Sequence, residues 1–573
     1  MKEWRVRLTA VLVAVTGVIN GLSALTPALH ERLELLAPYL PGLARHSARL
    51  TSALAGFGLL VLATNLGRRK HVAWVLTELL LGVSVASHLL KGLDFEEALV
   101  AGALLGWLWH LRAEYQAQSD PPSVRQGLRV LVGALLFTLA YGVAGFYLLD
   151  RHFSVNFGLG AALRQTWVMF TQFYDPGLEP VTHFGRYFAD SIYGVGAATL
   201  GYATLLLFRP VLLRQPASPG ERERAQQIVE QWGHTSLARF TLLPDKSYFF
   251  SRGGSVIAFV TKGRTAVALG DAIGPPADLD AALQEFQSFC RHNDWVTAFY
   301  QVQPDQTVSY RRAGFTLLHI GDEAIVDLPA FTLEGGNFRS VRHAVNSLTK
   351  GGYRAEFHAA PLPDDLLREL RYVSDEWLSL MHGREKRFSL GWFDADYLRD
   401  TPVLVVRAPD GIALAFANLL AEYQKNECTA DMMRRLRDVP AGTMDFLFVH
   451  MFLWAREQGY DSFNLGLSAL SGVGEEAGDP KTERALHYLY EHVGQFYNFK
   501  GLHAFKDKFN PRWEPRYLAY PSANSLPGLA LALIRADSGD EFISDYLGEW
   551  LRSRLSHPLG RKASTRAAVQ HPQ

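Results

Sequence analysis

Apolar and polar positions follow two different rhythms along this chain. Up to about residue 210 the apolar residues come in long blocks: 8–29 (LTAVLVAVTGVINGLSALTPAL), 50–66, 72–90, a shorter 98–111, 130–149 and 191–208. Blocks of about 20 apolar residues match the length of a helix across a bilayer. A cleaved leader accounts for one such block, not six. The pattern therefore predicts a multi-pass α-helical membrane domain over 1–213, although the short fourth block also suits a buried core helix. Lys and Arg near the block ends are in excess on one side (among them Lys2, Arg5, Arg7, Arg68, Arg69, Lys70 and Arg209). That bias predicts a cytoplasmic N-terminus and a cytoplasmic location for everything after Arg209. Glu78 lies inside the third block; an intramembrane carboxylate is a functional candidate or a hydrogen-bonded packing residue. The segment 156–174 is too polar to span and suits the outer interface.

Beyond the linker 214-RQPASPG-220 the rhythm shortens to runs of four to eight apolar and β-branched residues separated by turn signals. A helix is predicted from Pro219, with Glu221 and Glu223 in its first turns. Strands follow at 248–251, 255–261 and 265–271, then a helix at 277–292 and strands at 296–302 and 315–320. A second series begins near Asn337. It has a basic helix over 337–350 ending on Gly351 and Gly352, a strand YRAEFH and a long helix over 363–382. Strands VLVVRA, IALAFANLL and ECTADMMRR come next, then an apolar helix MDFLFVHMFLWAREQG and a strand DSFNLG. This predicts two α/β units, 214–335 and 336–521. The remainder, 522–573, reads as an amphipathic helix with a disordered tail. The repeated order matches the GNAT acyltransferase architecture, which alone says nothing about substrate.

Charge narrows the classes. The 57 Lys and Arg balance 57 Asp and Glu, so a globally basic nucleic-acid binder is not indicated and any basic surface is local. Cys290 and Cys428 are far apart, and no Cys/His cluster has metal-ligand spacing.

The chemistry-bearing candidates sit in the second α/β unit. Coenzyme A enzymes of this architecture place a glycine-rich loop between strand and helix, where backbone N–H groups wrap the pyrophosphate. Here that loop is 435-RLRDVPAGT-443, with one glycine, a proline lacking an N–H, and Asp438 where phosphate would be repelled. Just before it, Asp431 and Arg434 stand three apart in TADMMRR. On a regular strand they face opposite sides; at a bulge both reach one cleft; an ordinary salt bridge is the plain alternative. The stretch 496-FYNFKGLHAFKDKFNPRWEPRY-517 is dense in aromatic and basic residues. It suits a phosphodiester site with a stacked base, or core packing. Arg339 and Arg342 on the basic helix are candidates for nucleic-acid or headgroup contact, or form a solvated face.

Three segments, 388-FSLGWFDADYL-398, 429–474 and 496–517, together resemble the synthase domain of the bacterial aminoacyl-phosphatidylglycerol synthases, including the bifunctional lysylphosphatidylglycerol synthetase/flippases. The resemblance covers about 220–521. Large family members carry more spans than the six blocks here. It implies a tandem GNAT-like fold that uses neither coenzyme A nor metal. It also implies transfer of an aminoacyl group, lysine by family default, from aminoacyl-tRNA to a glycerol hydroxyl of phosphatidylglycerol. It points to Asp431, Arg434 and Lys506 as catalytic, and the residues themselves suggest Lys508, Arg339, Arg342, Trp513 and Arg516 as substrate contacts. Asp431 would accept the hydroxyl proton or hold the α-ammonium; Lys506, Lys508 and Arg434 would bind phosphate and steady an oxyanion. The expected setting is the bacterial cytoplasmic membrane, with the soluble domain in the cytoplasm and self-association left open. Transfer to another lipid, or a flippase with a regulatory soluble half, remain the alternatives.

Overall fold

The structure, a computed structural model, describes residues 3–25, 42–92, 94–118, 132, 136, 143, 158–161, 163–164, 217–336, 338–380, 385–474 and 499–539. Most of the fifth apolar block, the sixth, most of 156–174 and the C-terminal tail lie outside the described residues. The chain divides into two compact units, with the change of unit near Leu213–Arg214 and residues Ser288–Trp295 grouped with the first.

In the first unit the four leading apolar blocks form helices: α1 (Glu3–Leu25), α2 (Gly42–Gly67), α3 (His71–Gly92) and α4 (Phe95–His110). Each packs on its chain neighbour, and α4 returns to α1. Small residues permit the close approach. A Cβ on Gly17 would stand 2.8 Å from the carbonyl oxygen of Gly56. The core of this unit is apolar, with Val13, Leu59, Leu66, Leu81 and Leu108 among its buried residues, but polar side chains share it and apolar ones also face outward. Thr9, Thr16, Asn20, Thr77, Ser84 and His88 are buried, while Val11, Val15, Val18, Phe57, Leu79 and Leu99 are exposed. Among the described residues one helix, His71–Leu89, is long and apolar enough to cross a membrane, with a mean hydropathy of 1.6 over its 19 residues. Glu78 sits half-buried on it.

The second unit is built on one 11-stranded sheet. Its first helix, α5 (Pro219–Trp232), begins where Pro and the acidic first turn predicted. Ser218 accepts a hydrogen bond from the Glu221 N–H, and the Glu221 carboxylate accepts one from the Ser218 N–H at 2.8 Å. β1 (Ser247–Phe250), β2 (Val256–Lys262) and β3 (Thr265–Leu269) form an antiparallel meander. Helix α6 (Leu279–His292) leads to β4 (Val296–Val302), parallel to β3, and α7 (Thr307–Arg312) leads to β5 (Thr316–Asp327).

The second series repeats this plan. The basic helix α8 (Arg339–Lys350) precedes β6 (Arg354–His358), α9 (Asp364–Leu380) and the short α10 (Ala395–Arg399). β7 (Val403–Arg407), β8 (Ala413–Ala421) and β9 (Glu427–Arg435) extend the meander. α11 (Thr443–Glu457) carries the chain to β10 (Ser462–Ala469), parallel to β9, and α12 (Phe499–Asp507) to β11 (Arg512–Tyr520). Helix α13 (Leu526–Ser538) follows. This is the tandem GNAT-like arrangement expected.

The seam between the series departs from the sequence order. The strands run β1-β2-β3-β4-β11-β5-β10-β9-β8-β7-β6. The last strand of each series therefore crosses to the other: β11 pairs with β4, and β5 pairs with β10. A boundary at 335/336 divides the chain but not the sheet. The antiparallel β5–β11 pair is the seam, and a buried ion pair between Arg516 on β11 and Glu323 on β5 lies within it. Ser236 also donates to Glu323, at 2.6 Å.

Removing one partner of a buried pair strands the other charge, at a cost of about 3–5 kcal/mol. Arg516→Leu should therefore lower unfolding free energy by that order, with both series melting together. Glu323→Leu combined with Arg516→Leu should recover much of the loss. Denaturant titration checks this; separate melting of two halves in Arg516→Leu would contradict the shared seam.

Candidate active site

The site starts from a break in strand register. Ala417 faces Met433 and Leu419 faces Ala430, so the single residue Asn418 on β8 opposes two residues, Asp431 and Met432, on β9. The extra residue reverses the side-chain alternation. Asp431 and Arg434, which a regular strand would point apart, now share one face. Asn418 is fully buried and its Oδ1 accepts from the Met432 N–H at 2.7 Å, satisfying a backbone donor the bulge would otherwise strand.

Asp431 is buried. Its Oδ1 accepts from the Gly391 N–H at 2.8 Å and its Oδ2 from the Tyr397 hydroxyl at 2.8 Å. Burial pushes its pKa up to about 6, against the opposing effect of those two donors and of Arg434; Glu385 adds to the rise. The same burial, and the neighbouring carboxylate, push the Tyr397 phenol well above its usual range. Position 391 has no room for a side chain, since a Cβ there would lie 2.0 Å from Asp431 Oδ2.

Arg434 forms its salt bridge with Glu385 rather than with Asp431. Two parallel contacts, 3.1 and 2.5 Å, join it to Glu385, and it donates to Ser374 Oγ at 2.8 Å. Glu385 also accepts from the Phe393 N–H. The segment 385–397 thus clasps both residues, each through different atoms. Glu385, Ser374, Gly391 and Tyr397 were not singled out from sequence. Gly391 and Tyr397 do lie in the motif 388–398; nothing local marks Glu385 or Ser374.

β9 and β10 pair in parallel only as far as Thr429 opposite Asn464. Beyond that point β9 stays with β8 while β10, after a register break between Asn464 and Leu467, stays with β5. The strands part at the level of Asp431. Gly466, with φ +75°, begins the divergent end of β10. Lys506 on α12 donates to the carbonyls of Gly466 at 2.9 Å and Leu467 at 3.0 Å. It is buried, and burial lowers its pKa to about 7 despite the favourable field of Glu323. Lys506 contacts β10; Asp431 and Arg434 belong to β9.

Four of the five other predicted contacts are engaged internally. Lys508 pairs with Asp445 at 3.1 Å, in the first turn of α11, where a pyrophosphate would sit in a coenzyme A enzyme. Arg342 donates to the carbonyls of Leu333 and Gly335, so it closes the loop ahead of α8, while Arg339 is exposed. Trp513 stacks on His503 at 4.3 Å. Arg516 is held in the sheet seam by Glu323. Among the described residues of the aromatic-basic segment, Phe505 and Phe509 serve packing, against Phe448, while Arg512 is exposed.

Beside Tyr397 opens a cleft of about 390 Å³ lined by Asp394, Asp396, Asp400, Trp392 and Arg239. Its walls carry more negative than positive charge.

Comparison with known proteins agrees with this architecture. The family profile described as "Phosphatidylglycerol lysyltransferase, C-terminal" matches residues 226–520. A phosphatidylglycerol lysyltransferase of Bacillus subtilis is 30% identical over 527 residues, 90% of this chain and 58% of that protein. One from Staphylococcus epidermidis is 34% identical over 310 residues, 54% of this chain and 36% of that protein. The chain thus spans well under two thirds of the length of these relatives. The solved structure of L-PGS from Bacillus licheniformis is 34% identical with a TM-score of 0.50, covering 57% of this chain and 99% of that one. A C-terminal domain from Agrobacterium fabrum is 38% identical with a TM-score of 0.50, covering 56% and 98%.

Gly391→Ala should drive a methyl group into the Asp431 carboxylate. Overpacking of this kind costs about 1–3 kcal/mol, and turnover should fall by about a hundredfold, the scale for one misplaced acid–base group. Gly528→Ala, at an open helical position, serves as the control and should leave both unchanged. Wild-type turnover in Gly391→Ala would show that the Asp431 clasp is dispensable.

Proposed function

Because the chain belongs to the phosphatidylglycerol lysyltransferase C-terminal family, we propose that it is a tRNA-dependent aminoacyltransferase. It moves an aminoacyl group, lysine in the first instance, from aminoacyl-tRNA to a glycerol hydroxyl of phosphatidylglycerol at the cytoplasmic face of the membrane. The observation that carries this reading is the buried Asp431, clasped by the Gly391 N–H and the Tyr397 hydroxyl at the level where β9 and β10 part.

The donor is an activated ester, so positioning and proton handling supply most of what the reaction needs. Asp431, ionised, takes the proton of the lipid hydroxyl as its oxygen attacks the ester carbonyl. Tyr397 and the Gly391 N–H keep the carboxylate aimed. Arg434, fixed by Glu385 and Ser374, holds a positive charge near Asp431 that favours the ionised form. The Lys506 ammonium steadies the oxyanion. Collapse of the tetrahedral species expels the terminal ribose oxygen, which regains the proton from Asp431. The acidic cleft beside Tyr397 suits a cationic aminoacyl side chain. The Asp445–Lys508 pair at the α11 N-terminus weighs against a coenzyme A pyrophosphate there. The exposed apolar side chains of helices α1–α4, among them Val11, Val15, Phe57, Leu79 and Leu99, favour membrane residence, with residues 1–213 anchoring the synthase and admitting lipid; Glu78 is the residue to watch if they also translocate it.

The donor test is direct. Membranes holding the protein should make aminoacylated lipid from charged tRNA, and RNase should abolish it; product that survives RNase or follows acetyl-CoA sinks the assignment. Asp431→Asn, Arg434→Ala and Lys506→Ala should each lower turnover by at least about a hundredfold without matching loss of fold. Unfolding in proportion to lost activity would make these residues structural.

The pH profile follows from the two shifts. Asp431 must be ionised, so activity rises as pH passes about 6. Lys506 must be protonated, so activity falls above about 7. The residual activity of Asp431→Asn should lack the acid limb; an unchanged acid limb would assign that proton to another group.

A further inference from the structure

A second polar cluster lies far from this chemistry in sequence, at the turn between α3 and α4. A ring nitrogen of His88 and carboxylate oxygens of Asp94 and Glu97 lie within 4.8 Å of one another. The geometry points to a divalent metal site, of the zinc or manganese class, at this end of the helical unit.

Two features beyond proximity support it. The His88 ring is oriented from outside the cluster. Asn20 on α1 donates through Nδ2 to Ser84 Oγ at 2.7 Å, which turns its Oδ1 toward His88 Nε2 at 2.9 Å. Asn20 Oδ1 can only accept, so His88 donates through Nε2, and Nδ1 is the nitrogen that the neutral ring offers a metal. An outer hydrogen bond of this kind is typical of metal-bound histidines and sets the ring's orientation. The ring, Asn20 and Ser84 are all buried.

Asp94 stands at the N-cap of α4, across the turn from His88 and next to the start of that helix. Glu97 follows at the third position of the helix and is half-buried, so the cluster has an approach from solvent. One imidazole with two carboxylates and no thiolate is a borderline-to-hard donor set, suited to Zn²⁺ or Mn²⁺ rather than to a soft ion. Bonds of about 2.1 Å would draw the donors inside their present spacing, and the Glu97 side chain has the torsions to follow. With Asn20 as outer partner, the ion would tie α1, α3 and the start of α4 together.

The test uses the full chain purified in detergent, stripped with chelator and dialysed against micromolar Zn²⁺, with bound metal measured by mass spectrometry. About one equivalent should bind to the wild type. Glu97→Gln, the half-buried ligand whose replacement leaves the His88–Asn20–Ser84 network in place, should bind at least tenfold more weakly. Asn20→Ala removes no ligand and should weaken binding by about 10–100-fold. Chelator should lower the melting temperature of the wild type and not of Glu97→Gln. Aminoacyl transfer in micelles by Glu97→Gln should match the wild type. Zinc bound equally by wild type and Glu97→Gln, or none bound by the wild type, overturns the site.

Discussion

One extra residue in β9 sets the arrangement of the candidate active site. Asp431 and Arg434 are three positions apart, and side chains on a strand alternate. Without the bulge opposite Asn418 they would sit on opposite faces of the sheet. With it, both meet the 385–397 segment, and Glu385, Gly391 and Tyr397 can each take one role. The bulge in turn depends on Asn418, whose buried amide satisfies the Met432 N–H. A buried polar side chain answering one backbone donor thus decides which residues can act together.

Where that bulge lies matters as much as its existence. β9 and β10 separate just past Thr429 and Asn464. Parting parallel strands leave backbone groups without ladder partners, and Lys506 supplies the donor for two of them, at Gly466 and Leu467. The same burial acts in opposite directions on the two ionisable groups. It raises the carboxylic acid and lowers the amine, bringing both toward neutral pH. A carboxylate able to take a proton and an ammonium able to steady an anion are what acyl transfer between hydroxyls requires.

The exchange of β5 and β11 binds the two series into one sheet. Neither series could complete its own sheet alone, because its neighbour at the seam comes from the other. Arg516 and Glu323 are held there, charge against charge, away from water. This is why an arginine in the basic-aromatic segment, a natural candidate for phosphate contact, serves the frame. Lys508 and Trp513 are diverted in the same way, the first to Asp445 and the second to the His503 ring.

The sequence by itself determined the elements and their order, because those rest on local chemistry. Long apolar blocks gave the first four helices. The Ser218–Pro219–Glu221 cap fixed the start of α5, and the repeated strand–helix order announced the tandem units. It also singled out Asp431, Arg434 and Lys506 through motifs that resemble a known family. Tertiary structure alone decided what those residues touch. Asn418 and Asp431 are 13 positions apart and Arg434 and Glu385 are 49, so no local pattern couples them. The crossing of β5 and β11 is equally invisible along the chain, since either partner would satisfy the same backbone hydrogen bonds. His88, Asp94 and Glu97 are close in sequence, but the ring that brings them into one set is oriented by Asn20, a full helix away. Local propensity reads the period of a segment; the choice between partners that satisfy it equally well belongs to packing.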